Sequence, residues 1–313
     1  MQHKIHEEVK GLLESGEVTI VIGWEAGSAP FKTTPAFIES PEDVRRLVWN
    51  PACTNNLSVY LAEAAAHARV GIIAKPCDSR SIVTLIQEKQ VTRENLKIIG
   101  VTCPGVADDA ALVKAGVRLS EVRALDWDGD SIRITTTNGS TSIPFAQAVK
   151  EGCRTCVQRT PVIADVTIGE SVDSNNQQPA TGGQQSFDER RAYWAEQFER
   201  CIRCYGCRQV CPACYCAKCF ADRTDVKFTS RRTITSEAWM WHMGRAMHLA
   251  GRCIGCGECE RACPMELPIM KLNREVQRHI DELFGYVPGM DPEEAPVLGR
   301  FDPEDKDPNE WET

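Results

Sequence analysis

The sequence predicts a two-part protein: an α/β N-terminal domain with a partly parallel sheet and an antiparallel extension, followed by an all-α module. Three observations carry this. Strand-like apolar runs alternate with helical patterns up to Thr102, the order that parallel strands joined by crossover helices produce. The pattern then changes to short runs broken by Asp128-Gly129 and Asn138-Gly139, the turn dipeptides of antiparallel hairpins. Beyond a polar stretch at residues 171–186, apolar residues recur at helical spacing in two segments, and each segment leads into a run of cysteines.

In chain order, residues 18–22 predict a first strand, 57–68 a helix, 70–74 a strand, 79–88 a helix and 98–102 a further strand. Residues 132–136 form one of the hairpin runs, and VIADVTIGE is again strand-like. The stretch SVDSNNQQPATGGQQS lacks apolar periodicity and predicts a linker at 171–186. Helices are expected at 187–200 and 233–249. From residue 289 the chain is acidic and proline-rich, the composition of an extended tail. The predicted division is therefore 1–170, 171–186, 187–288 and 289–313.

The helical module holds the most specific signal. Cys201, Cys204, Cys207 and Cys211 before Pro212, and Cys253, Cys256, Cys259 and Cys263 before Pro264, each spell C-x2-C-x2-C-x3-C-P, the run that binds [4Fe–4S] clusters. In such pairs the fourth cysteine serves the other cluster. One set would be Cys201, Cys204, Cys207 and Cys263, and the other Cys253, Cys256, Cys259 and Cys211. Four-cysteine zinc sites are the alternative, but zinc has no use for the fourth cysteine before proline. A disulfide framework fits less well, because the chain is long and rich enough in apolar residues to build a core.

Composition bounds the rest. A chain of 313 residues, 42% of them hydrophobic, can supply two cores. A formal net charge of −8 argues against nucleic acid as a partner, and no apolar run approaches a transmembrane span. The first ten residues have no hydrophobic targeting core, so a cytoplasmic protein is expected. Sixteen cysteines in that compartment imply metal ligation under reducing, anaerobic conditions.

Four further cysteines sit where an α/β fold builds sites. Cys77, in KPCDS, and Cys103, in VTCPG, follow predicted strands, and the carboxyl ends of neighbouring parallel strands face one crevice. Asp78 or Ser79 can cap the helix that follows Cys77. Cys153 and Cys156, in GCRTC, could complete a third four-thiolate site.

At these residues the chain resembles a known family. KPCD, VTCPG and GCRTCVQRTPVIADVTIGE resemble the beta subunits of coenzyme F420-reducing hydrogenases and F420-dependent formate dehydrogenases, over about residues 50–170. The most specific element is Cys153 and Cys156 followed by Ala164, Asp165 and Gly169. The resemblance implies that Cys77, Cys103, Cys153 and Cys156 hold a [4Fe–4S] cluster, which in the family lies beside an FAD that exchanges hydride with the deazaflavin. Family members continue past the glycine with a flavin-contacting segment, whereas Gly169 runs into the polar linker. That departure implies a branch that keeps the cluster and has lost FAD. The stretch HLAGRCIGCGECERACPMELP, with some forty residues between the two runs, resembles the α-helical two-cluster ferredoxin of heterodisulfide reductase and succinate dehydrogenase iron–sulfur subunits.

The remaining features have competing readings. In VIGWEAGSAPFKT, Gly23 and Gly27 follow a strand and Lys32 could neutralise an anion, so this is the flavin candidate; a plain strand-to-loop turn is the simpler reading. Cys53, Cys214, Cys216 and Cys219 either ligate a fourth cubane or are buried spare thiols. Arg200, Arg203, Arg208, Lys218, Arg223, Lys227, Arg231 and Arg232 concentrate positive charge near the first run, as a counter-charge to clusters, a docking site for an acidic partner or a solvated face. Trp239, Trp241, Met243 and Met247 read as apolar shielding, and His242 and His248 as structural residues or donors to sulfur.

No catalytic triad, carboxylate pair or firm nucleotide motif occurs. The expected function is a non-catalytic iron–sulfur electron-transfer subunit with three [4Fe–4S] clusters and room for a fourth. It would relay electrons between subunits of a heterodisulfide reductase, formate dehydrogenase or hydrogenase type of complex. The alternative is an FAD-containing subunit acting on coenzyme F420 or a nicotinamide.

Overall fold

The computed structural model describes residues 1–66, 68–156, 158–171 and 186–300. Most of the expected linker and the end of the expected tail lie outside them. The chain opens with helix α1 (Gln2–Glu14), which sequence reading left unassigned. Its buried residues Ile5, Val9 and Leu12 are spaced by four and three, so one stripe packs on the core while the charged residues stay outside.

Five strands form the main sheet in the order β2-β1-β3-β4-β8. Strands β1 (Ile20–Ala26), β3 (Val70–Ala74), β4 (Leu96–Val101) and β8 (Val166–Ile168) run parallel, and β2 (Thr33–Ile38) is an antiparallel edge. Every residue of β3 is buried, as a central strand covered on both faces requires. Strands β5 (Val122–Asp128), β6 (Ser131–Thr136) and β7 (Gly139–Pro144) make a separate antiparallel sheet, turned at the two Gly dipeptides.

Helix α2 (Pro76–Gln87) starts directly after β3, with Pro76 in the first turn and the Asp78 carboxylate accepting the Lys75 N–H at 2.8 Å. The other Asp78 oxygen accepts the Leu57 N–H at 2.8 Å, and Asn56 accepts from Ser58. Those two bonds tighten the expected helix at 57–68 into a 3-10 turn (Leu57–Tyr60) and a single α-turn (Leu61–Ala64). Asp165 ties the edge strand β8 to β4 by accepting the Ile98 N–H at 2.7 Å and Arg93 at 2.8 Å.

Among the described residues, 186–300 contain helices and no strand. Helix α3 (Phe187–Glu199) begins with a reciprocal cap between Ser186 and Glu189. Helices α4 (Thr235–His248) and α5 (Ile269–Phe284) pack with it around Phe198, Ala238, Ala246 and Leu272. A second small core, with Cys207, Cys259, Trp241, Leu267, Ile269 and Met270, lies beside the cysteine runs.

The expectation of an extended tail from residue 289 fails over its first part. Tyr286 donates to Gln87 at 3.1 Å, and Gln87 donates to the carbonyls of Asp291 and Glu294 at 2.8 Å, so residues 286–294 form a strap across α2. Gly289 has φ +74°, and a Cβ there would fall 2.3 Å from the Arg80 carbonyl oxygen. Only glycine lets the strap approach that closely. The backbone carbonyls presented to α2 thus order a segment whose composition is that of a solvated tail.

Candidate metal centre

Between the α/β domain and the helical module lies a cavity of about 220 Å³. Cys77, Cys103, Cys153 and Cys156 line it from one side, and Cys253 and Cys256 from the other. The fold explains the first four. Cys77 is in the first turn of α2 after β3, Cys103 follows β4, and Cys153 and Cys156 come from the chain that returns to β8. Arg159 fastens these segments: its carbonyl accepts the Cys103 N–H at 3.0 Å, and its guanidinium donates to the carbonyls of Pro104 and, at 3.2 Å, Cys153.

Burial pushes the thiols of Cys77, Cys103 and Cys153 up, so without metal they hold their protons. A bound iron replaces those protons, and the surroundings suit the resulting negative charge. Lys75 is buried at the cavity, 3.0 Å from Asp78 and 4.0 Å over the Trp24 ring. Burial opposes its charge, but the Asp78 carboxylate outweighs that and holds it protonated. Arg80 lies among Cys77, Cys156, Cys253 and Cys256, donating to the carbonyls of Pro288 at 2.7 and 3.2 Å and Ile254 at 3.2 Å. Lys150, ion-paired with buried Glu258, draws the Cys153 thiol down against burial.

In the helical module the sulfurs fall into two further groups. Cys259 lies within electrostatic reach of Cys211, Cys253 and Cys256. Cys201 lies within reach of Cys204 and Cys263, and Cys207 of Cys201 and Cys263. Each group mixes the two runs, with the fourth cysteine crossing over. Cys214 hydrogen-bonds Cys211 and, with Arg245 nearby, pulls the Cys211 thiol down.

Polar groups converge on these sulfurs. His242 Nε2 is 3.3 Å from Cys201 Sγ, and its ring stacks on Phe198 at 4.6 Å. Burial, with Arg245 and Arg203, pushes His242 down to about 4, leaving a neutral ring that can donate N–H to sulfur. The Leu267 N–H reaches Cys263 Sγ at 3.5 Å, and Asn273 reaches Cys259 Sγ at 3.8 Å. Arg245 is buried beside Cys207, Cys211, Cys214 and Cys259, and its Nε–H has no hydrogen-bond partner. An orphan donor among thiols fits a site whose sulfide and thiolate sulfurs would accept it. Among the described residues no three Cys, His, Asp or Glu converge closely enough to hold one ion. A cubane asks for something else, one thiolate per iron set around a cage.

The other expected site residues fall elsewhere. Cys53 is fully buried in the core of the main sheet, bonded to Val48 and Asn50, with burial pushing its thiol up to about 12. Thr33, Lys75 and Asp78 lie beside it. Cys216 lies beside Tyr215 and Arg252, and Cys219 beside Arg208. The flavin candidate forms the β1–β2 hairpin. A Cβ on Gly23 would strike Leu47 and Ile73, Gly27 bonds the Lys32 carbonyl at 2.8 Å, and Lys32 pairs with Asp109.

Sequence reading did not single out the buried charges Lys75, Arg80, Lys150, Arg245 and Glu258. A signal existed for Arg80, three residues after Cys77 and on the same helix face.

Comparison with known proteins places these groups in context. A family model for the C-terminal part of the coenzyme F420 hydrogenase/dehydrogenase beta subunit matches residues 67–202, and one described as "4Fe-4S dicluster domain" matches residues 200–268. The chain is 24% identical to the F420-dependent formate dehydrogenase subunit beta of Methanocaldococcus jannaschii, covering 92% of both chains. It is also 24% identical to the F420-dependent formate dehydrogenase 1 subunit beta of Methanococcus maripaludis, covering 93% of this chain and 91% of that one. A chain of the F420-reducing [NiFe] hydrogenase complex from Methanosarcina barkeri superposes with a TM-score of 0.41 at 18% identity, covering 50% of this chain and 59% of its own, too loosely to carry an argument. No helix among the described residues is long and apolar enough to cross a membrane.

Proposed function

We propose that this chain is an iron–sulfur electron-transfer subunit that relays electrons between redox subunits of a larger complex of the formate dehydrogenase or hydrogenase type. The observation that carries the reading is the shared cavity, where thiols of the α/β domain face thiols of the second cysteine run. Cys77, Cys103, Cys153 and Cys156 would hold one [4Fe–4S] cluster. Cys211, Cys253, Cys256 and Cys259 would hold a second, and Cys201, Cys204, Cys207 and Cys263 a third. Each bound cluster supplies a one-electron redox couple. The residues around them supply charge compensation, N–H donors and exclusion of water, which set the potentials.

The match to a dicluster domain over residues 200–268 supports the two sets in the helical module, and the helix-only composition supports an α-helical ferredoxin of the heterodisulfide-reductase type. The names of the full-length relatives support a formate dehydrogenase setting and, as a second reading, hydride exchange with coenzyme F420 through an FAD.

Iron, acid-labile sulfide and flavin per chain on anaerobically purified protein separate the readings. About twelve irons with matching sulfide and no flavin are expected for the relay. One flavin per chain makes the protein a catalytic subunit, and about sixteen irons give Cys214, Cys216 and Cys219 a further cluster. Cys153→Ala is expected to remove about four irons and leave the other spectra intact. Loss of all cluster signals from a folded variant would overturn the division into separate sites.

A further inference from the structure

We infer that the surface around Cys204 is the docking site for an acidic redox protein, an inference that rests on the electron-transfer reading above. Cys204 is exposed, while Cys201 and Cys263 of its group are half-buried and Cys207 is buried. This group therefore comes to the surface at one thiol. Ile202, its near neighbour in the chain, is more than half exposed, and so are Val226 and Phe228; Ile234 is nearly so. Single exposed apolar side chains need no explanation, but a concentration beside a redox group is what a transient interface presents.

The segment bearing these residues is fixed in place. Arg203, buried and adjacent to both Ile202 and Cys204, donates to the Arg232 carbonyl at 3.1 Å and the Thr229 hydroxyl at 2.9 Å. Glu237 binds the same turn through Thr229 and the Ser230 N–H, at 2.6 and 2.7 Å. Residues 229–232 are thereby held against the Cys204 loop, so the patch is pre-organised and costs little to order on binding.

Charge identifies the partner. Lys227, Arg231 and Arg232 are exposed and form no ion pair among the described residues, whereas the nearby carboxylates are engaged, Asp222 by Arg208 and Asp225 by Arg223. The result is an uncompensated positive patch on a chain of net charge −8. An acidic protein is repelled by most of this surface and attracted here, which orients each encounter towards Cys204. A reduced partner loses one electron per encounter and this chain gains it; the reverse transfer uses the same contact.

The test is stopped-flow reduction of the cluster-loaded chain by a reduced, acidic two-cluster bacterial ferredoxin, with dithionite as a reductant that needs no docking. In the wild type the second-order rate constant is expected to fall as salt is raised. The variant K227E/R231E/R232E is expected to react at least about tenfold more slowly with the ferredoxin and to lose that salt dependence. Its iron content and its reduction by dithionite should stay unchanged. Phe228→Ser, which leaves the charges in place, is expected to slow the ferredoxin reaction without removing the salt dependence. A triple variant that keeps its clusters and reacts with the ferredoxin at the wild-type rate overturns the docking site. A wild-type chain that dithionite cannot reduce overturns the electron-transfer reading itself, so the two failures are distinguishable.

Discussion

At the scale of single residues, Lys75, Arg80 and Arg245 are cations buried beside cysteine sulfurs. Arg80 is 9% exposed and lies between the sulfurs of the α/β domain and those of the second cysteine run. Burial pulls its pKa down, but an arginine keeps its charge even so. That charge would offset negative clusters bound on either side, and its three hydrogen bonds to Pro288 and Ile254 join the strap, α2 and the Cys253 loop. Arg80→Gln removes the charge and strands the two carbonyls. The expected loss is about 3 kcal/mol of stability, read by denaturant titration, on the scale of buried bonds to charged groups. The midpoint potentials of both neighbouring clusters should fall, because the reduced and more negative forms lose a counter-charge. An EPR-monitored redox titration checks this, and Arg80→Lys should restore most of the potential but less of the stability, because an ammonium cannot reproduce the fork. A variant with unchanged potentials would show that Arg80 only fastens the two parts.

At the scale of elements, the strap over α2 shows how tertiary contact overrides composition. Tyr286, Val287 and Pro288 line the cavity, and Gly289 carries the chain past the Arg80 carbonyl where a Cβ has no room. Gly289→Ala is therefore expected to lift the strap and admit solvent. Its predicted signature is faster bleaching in air of the brown absorbance from the cavity cluster, with the cluster at Cys201, Cys204, Cys207 and Cys263 decaying at the wild-type rate. Sequence reading missed the strap because proline, glycine and acidic residues report on solvation, whereas the strap is held by backbone carbonyls that any sequence carries. The same reading caught β3 end to end, because a strand buried on both faces writes its burial into five consecutive small and apolar residues. Helix α1 was missed for the opposite reason, since only Ile5, Val9 and Leu12 are buried among many charges. The cysteine spacings pointed to two thiol groups, and strand ends facing one crevice pointed to Cys77 and Cys103, with Cys153 and Cys156 read as residues that could complete the site. The facing of Cys153 and Cys256 across the cavity depends on how the two parts dock, and no local pattern encodes that.

At the scale of the whole molecule, the two parts have unequal means of standing alone. The α/β domain has a large aliphatic core around Val21, Ile22, Leu57, Ile72, Ile82, Ile98 and Ile99. In the helical module the cysteines themselves are core residues, with Cys207 and Cys259 packed among Trp241, Leu267, Ile269 and Met270. Removing metal there leaves buried thiols and an unpartnered Arg245 Nε–H in place of ligated sulfurs. Metal binding and folding would then be one equilibrium. The parts are joined by the buried Lys150–Glu258 pair and by Arg252 forking onto Glu88 at 2.8 and 3.1 Å, with Arg274 on Glu151 at 2.8 Å. Those contacts hold only while the helical module keeps its shape. Stripping iron with a chelator under mild oxidation is therefore expected to open residues 187–285 to protease within the time that residues 20–150 remain protected, with a matching loss of helical circular dichroism. Rebuilding the clusters with iron and sulfide should close the helical module again and restore the contacts of Lys150 and Arg252. Equal protection of both parts in the iron-free protein would mean that the helical core stands on its apolar residues alone, and that its cysteines contribute electron transfer without contributing the fold.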